Sequence, residues 1–329
     1  MALFLAEGLV RIFYPHSRDH VIPGGLFEIN DYLGWKLKAG KSVTHHSSYF
    51  DVAYSVNALR YRDKPRNLEK SGGTYRALLY GDSQVFGWGV SERQRFSNLL
   101  EEQKPSLELW NLGVPGYGFD QQILSYERDG QSFSADEVIF FVSQATLKRD
   151  RYDYIYDKPK PKFAIDQSGV LNIIPIAQEV QAWTSLLYRV LSPLYLPYFV
   201  KRQLAMLKDA PRAASSRRGQ EASKEEVTIG ALERAMLDRV SAVALERKQR
   251  ITILAFLPET ASKDLQNLCH QKGIGFLEIT LHGENRDFVI GEHDPHWNLQ
   301  THQLIARQLL PQLTARVDRE MTSQVPLAQ

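Results

Sequence analysis

Cysteine is almost absent from this chain. The single residue, Cys269, excludes an internal disulfide framework and any cysteine-rich metal centre, and is left as either a core or a surface thiol. Charge of one sign is also scarce: 329 residues carry a net +2, and bases are interleaved with acids, as in RRGQEASKEE. No electrostatic footprint for nucleic acid follows from that pattern. Nor does the N-terminal stretch MALFLAEGLVRIFYP reach the roughly 20 apolar residues of a membrane span, because Glu7 and Arg11 interrupt it. It lacks a basic leader and a small-residue cleavage site, so it does not read as a signal peptide. A short amphipathic helix packed on the domain is expected there, with a trimmed membrane anchor as the alternative. The compartment stays open: cytoplasmic as the chain stands, extracytoplasmic or anchored if the N-terminus is trimmed. Neither an internal repeat nor a heptad run is present.

What the chain does have is five short apolar runs with the β-branched and aromatic content of buried strands: 75–81, 107–113, 137–143, 250–258 and 275–279. Helical patterns separate them. SERQRFSNLLEEQ reads as one helix, and TIGALERAMLDRVSAVALERK places Leu232, Met236, Val240 and Val243 on one face. Near-continuous apolar strands alternating with amphipathic helices predict an α/β protein, a three-layer α/β/α sandwich built on a five-stranded, mostly parallel sheet. Residues 74–148 and 229–316 are assigned to it, leaving 1–73 as an N-terminal extension, 149–228 as an insertion and 317–329 as a tail. Within the insertion, the apolar, proline-broken 183–200 segment reads as a lid over a cleft, as packing on the sandwich, or as a membrane-surface contact. KDAPRAASSRRGQEASKEE reads as a linker.

Ligands of such sheets bind beyond the carboxyl ends of the strands, and the first strand runs into Gly-Asp-Ser there. That turn puts the Ser83 hydroxyl and amide near a helix N-terminus, which favours developing negative charge. The same tripeptide also makes ordinary turns and N-caps. A phosphate loop is excluded, since no Gly-Lys-Ser/Thr follows Ser83. After the second strand comes WNLGVPGYGFDQ, whose Gly116 can bring a backbone amide close to a substrate or simply make a turn. Near the C-terminus, Asp294 and His296 flank Pro295 ahead of a helix capped by Asn298 or Thr301. Pro295 favours extended backbone, in which residues i and i+2 share a side, so the carboxylate can orient the imidazole as a base. The alternatives are a capping Asp beside a surface His, and a metal pair of His293 with His296.

In that order, GDS, NLGVPGYG and HDPHWN resemble the blocks of the SGNH, or GDSL-type, serine hydrolases, over about residues 75–148 and 229–312. NALRYRD (57–63) resembles the lead-in of members with an N-terminal extension. The resemblance implies a flavodoxin-like sheet and an ester hydrolase needing no metal or organic cofactor. Ser83 would be its nucleophile, Asp294 and His296 its acid and base, and Gly116 an oxyanion donor. Many such relatives act on acyl groups of carbohydrate, which implies an acylated small molecule or polysaccharide as substrate. An O-acyltransferase or a degenerate carbohydrate-binding module is the alternative. Two departures stand out. One residue separates acid from base where many members have two, and FFVSQATLKRD puts Ala145 where the family has an oxyanion Asn, leaving Gln144 or Thr146 as substitutes.

Overall fold

A strand that is apolar on both faces must be covered on both sides. The computed structural model describes residues 1–14, 25–156, 158–176, 194–197, 199–200, 203, 228–292 and 294–323. In it the five runs form β1 (Tyr75–Gly81), β2 (Leu107–Gly113), β3 (Glu137–Ser143), β4 (Arg250–Phe256) and β5 (Gly275–Glu278). They make one sheet in the spatial order β2-β1-β3-β4-β5, parallel throughout, as in flavodoxin-like folds. Every residue of β1 and β3 is buried. The period of two sends Leu78 and Tyr80 into one core and Ala77 and Leu79 into the other.

The helices are α1 (Ala2–Phe13), α2 (Ser83–Phe86), α3 (Phe96–Gln103), α4 (Phe119–Asp129), α5 (Gln144–Arg149), α6 (Ala231–Glu246), α7 (Glu259–Gln271) and α8 (Leu299–Ser323). Residues of α4, α6 and α7 close the first core, and residues of α3 and α8 the second. The sandwich has the three layers its pattern predicts. In-register pairing ends β1 and β2 level at Gly81 and Gly113, and β3 and β4 level at Ser143 and Phe256, with the second pair reaching two residues further than the first. A site built there can draw on all of them.

Three local expectations change. Helix α8 runs on to Ser323 with Val317 fully buried, so the packed C-terminal element extends beyond 316. Tyr154–Ile155 pairs with Lys158–Pro159, and Lys162–Ile165 with Leu171–Ile174, and this part packs on the sandwich: Phe163 is buried in the first core, and Lys160 is buried with its ammonium on Asp120. The linker KDAPRAASSRRGQEASKEE and most of 183–200 lie outside the described residues. Finally, α1 is not packed on the domain by an apolar face. Val10 alone is buried, while Leu3, Phe4, Leu5, Leu9, Ile12 and Phe13 are exposed. Glu7 accepts from the Tyr195 and Leu196 amides, and Arg11 lies over the Tyr195 ring at 4.8 Å, so α1 meets this segment largely through polar and cation–π contacts. Among the described residues no helix is long and apolar enough to cross a membrane.

Candidate active site

At the end of β1 the chain turns directly into α2. Asp82 caps it, one carboxylate oxygen accepting from the Gln84 amide at 2.9 Å, and Gly87 ends it in the left-handed region. Ser83 therefore stands at the first helical position, where its N–H has no acceptor within the helix. Strand β2 must let this turn approach. A Cβ on Gly113 would lie 2.4 Å from the Phe86 nitrogen, so only glycine fits.

The base arrives from the far end of the chain. Residues Val289–Gly291 and Asp294–Trp297 pair as a short hairpin, with Trp297 buried in the second core as its anchor. Gln84 clips it to α2, accepting from the Trp297 amide at 2.9 Å and donating to the Pro295 carbonyl at 3.3 Å. Extended backbone across Pro295 puts Asp294 and His296 on one side, and Asp294 Oδ1 lies 2.6 Å from His296 Nδ1. His296 Nε2 then lies 2.8 Å from Ser83 Oγ. With Nδ1–H donated to the carboxylate, Nε2 is the acceptor of the serine proton. Asn298 caps α8, taking the Thr301 amide at 2.9 Å, so the capping role belongs to Asn298 and not to Asp294. His293 lies outside the described residues.

Electrostatics reinforce the arrangement. Burial by itself would raise the Asp294 carboxyl, but hydrogen bonds from His296 and Trp88 outweigh it and hold the group below its ordinary range. Asp294 therefore stays ionised at neutral pH, able to stabilise an imidazolium. Cys269 is a core thiol, pushed up to about 12 by burial, and is no nucleophile. Among the described residues no group of three His, Cys, Asp or Glu side chains could hold a metal ion.

Several supporting residues carried no local signal. Trp88 donates from Nε1 to Asp294 Oδ2 at 3.1 Å and stacks on His296, with centroids 4.8 Å apart and planes 18° apart. His45, from the N-terminal extension, sits edge-on behind Trp88, and Tyr54 accepts from the Gly89 amide. Arg62, within NALRYRD, donates to the carbonyls of Phe86, Gly87 and Val90, so the lead-in ties down the end of α2. Trp35 donates to the Pro115 carbonyl and accepts from the Tyr117 hydroxyl, which fixes the turn holding Gly116. Gly116 has φ +86°, and a Cβ there would press on Trp35 and Tyr156.

The offered replacements for the missing Asn fare unequally. Thr146 is a correction: its hydroxyl accepts from the Ser143 amide at 2.8 Å and donates to the Ser143 carbonyl at 2.9 Å. It is wholly buried in the capping box of α5, answering the N-cap Ser143, and has no spare donor for a substrate. Gln144 is partly exposed at the start of α5, and Ala145 is exposed.

No protein-family model matches the chain, and no curated protein matches it. Solved structures overlap with it at low identity. A member of the lipolytic protein G-D-S-L family from Veillonella parvula is 11% identical over 73% of this chain and 99% of its own, with a TM-score of 0.39. The lipase/acylhydrolase from Enterococcus faecalis is 11% identical over 74% and 97%, with a TM-score of 0.40. The psychrotrophic esterase EstA from Pseudoalteromonas is 7% identical over 74% and 98%, with a TM-score of 0.43. At such values the chemistry has to be read from the site itself.

Proposed function

We propose that the protein is a serine ester hydrolase of the SGNH type acting through an acyl-enzyme on Ser83. The observation that carries this reading is the unbroken relay from Asp294 through His296 to Ser83, at 2.6 and 2.8 Å. His296 Nε2 takes the serine proton as Oγ bonds to the ester carbonyl carbon, and the carbonyl electron pair moves to oxygen. We assign the Ser83 and Gly116 amides as the donors to that oxygen. Collapse breaks the bond to the alcohol, which leaves with the proton from Nε2. Water then repeats the sequence and frees the acid.

For the substrate we infer an O-acylated carbohydrate. Tyr152, Tyr154 and Tyr156 are exposed on the segment beside the site, and Tyr156 lies against Gly116. Exposed aromatic faces next to a reacting centre suit the apolar faces of sugar rings better than an acyl chain, which calls for an enclosed apolar pocket. Transfer to a sugar hydroxyl instead of water uses the same steps and remains the alternative. The test is fluorophosphonate labelling of wild type and Ser83→Ala, followed by p-nitrophenyl esters of rising chain length and acetylated xylan, with and without a polysaccharide acceptor. Labelling of wild type alone and short-chain preference are expected. An unlabelled wild type would favour a non-catalytic carbohydrate-binding module.

A lipid surface is the proposed partner of α1. Its exposed apolar residues cover most of the helix and leave one polar stripe, where Glu7 and Arg11 pair. A helix with so wide an exposed apolar face suits lipid more than water. Flotation with anionic liposomes should carry wild type upward and leave Phe4→Asp/Ile12→Asp behind. Equal behaviour of the two would sink the idea.

A further inference from the structure

The end of β3 is the corner of the site where the resemblance calls for a carboxamide and the chain supplies Ala145. Four residues on, and therefore on the same side of α5, stands Arg149. Its Nη1 donates to Asp82 Oδ2 at 2.7 Å and to the Tyr117 carbonyl at 3.1 Å. One guanidinium thus grips the residue before Ser83 and the residue after Gly116, the two positions whose amides would meet the oxyanion.

Asp82 makes this grip consequential. Its carboxylate is 2% exposed and immediately precedes the nucleophile. A bare negative charge there would oppose negative charge growing on the substrate oxygen, and the interaction would be strong in a site shielded from water. Paired with Arg149 it does not. Both hydrogen bonds come from one nitrogen, Nη1, held on a planar group that loses less freedom per hydrogen bond than a lysine ammonium does.

We propose that Arg149 is the positioning residue of the oxyanion corner, locking the two amide-bearing turns together and cancelling the charge of Asp82. This rests on the ester-hydrolase reading above. Because it acts on the transition state, its loss should lower kcat and leave KM nearly alone.

The test compares wild type, Arg149→Ala with and without added guanidinium at a non-denaturing concentration, and Arg149→Lys. Each is measured for turnover of a short-chain p-nitrophenyl ester, fluorophosphonate labelling and thermal melting. Arg149→Ala should lose about a hundredfold in kcat, as small misplacements of reacting groups do, with KM changed by less than about threefold. Guanidinium should restore part of that rate and should do nothing for Arg149→Lys. Should Arg149→Ala fail to fold, Arg149→Lys carries the test, with a loss of about tenfold in kcat and a melting point near wild type. Folded variants with wild-type kcat, or a loss confined to KM, overturn the proposal while an active, labelled wild type keeps the hydrolase reading. An inactive, unlabelled wild type overturns both.

Discussion

Both ends of the central sheet bury charged side chains, yet only one is built for chemistry. At the amino end Glu137 is fully buried and accepts from Tyr75, Thr252 and Arg316, while buried Arg76 donates to Glu108 and to the carbonyls of Leu68, Glu69 and Phe133. Each charge there is matched by fixed protein partners, as a structural network requires. At the carboxyl end Asp294 and Asp82 are matched in the same way, but the relay they support ends on a serine hydroxyl and on an imidazole that keeps 20% of its side chain exposed. Buried charge is therefore a poor marker of function. A relay that ends on a serine hydroxyl beside a partly exposed imidazole is a better one.

Substitutions at the two ends should separate these roles. Ser83→Ala or His296→Ala should lower ester turnover by roughly a millionfold each, with no further loss in the double variant, because nucleophile and base act as one unit. Circular dichroism must show an intact fold, and substantial residual turnover would remove the assignment. Asp294→Asn should cost about ten-thousandfold by allowing the wrong imidazole tautomer; a wild-type rate would mean that another carboxylate, such as Glu292, orients His296. At the opposite end, Glu137→Gln should lower stability by roughly 3 kcal/mol by leaving Arg316 without its charge partner. Turnover per folded molecule should not change, and a drop there would erase the distinction between the ends.

Smaller effects test the supports. Trp88→Phe keeps the stack on His296 and removes one hydrogen bond to the Asp294 carboxylate, which should slow turnover roughly tenfold. Indifference would make Trp88 mere packing. His302, buried on Phe96 beneath the second core, is pushed down from 6.5 to about 3 by burial and then by Arg95 and Arg62, so it is neutral when folded. The unfolded chain takes up its proton near pH 6.5, so stability falls as pH drops from there towards 3, by at most about 1.4 kcal/mol per pH unit. Urea unfolding of His302→Gln should show a flatter acid slope than wild type.

Some of this was legible in one dimension because its cause is local. Strand and helix periods follow from which neighbours share a face, so five runs predicted five strands and their layers. Pro295 restricts the residue before it, so Asp294 and His296 could be placed on one side without coordinates. Thr146 was misjudged for a related reason: a hydroxyl three residues after Ser143 is as well placed to cap its own helix as to serve a substrate, and the cap won.

The sequence by itself determined the sandwich, the carboxyl-end location of Ser83 and the pairing of Asp294 with His296. Tertiary structure alone decided what surrounds them. Ser83 and His296 are 213 residues apart, and their 2.8 Å contact depends on the in-register sheet and on the Gln84 clip. Trp88 over His296, Arg62 beneath α2, Trp35 against Pro115 and Arg149 between Asp82 and Tyr117 have no spacing rule that announces them. Each is a long side chain reaching across a gap between elements remote in sequence, and such a distance is fixed only when both cores have closed.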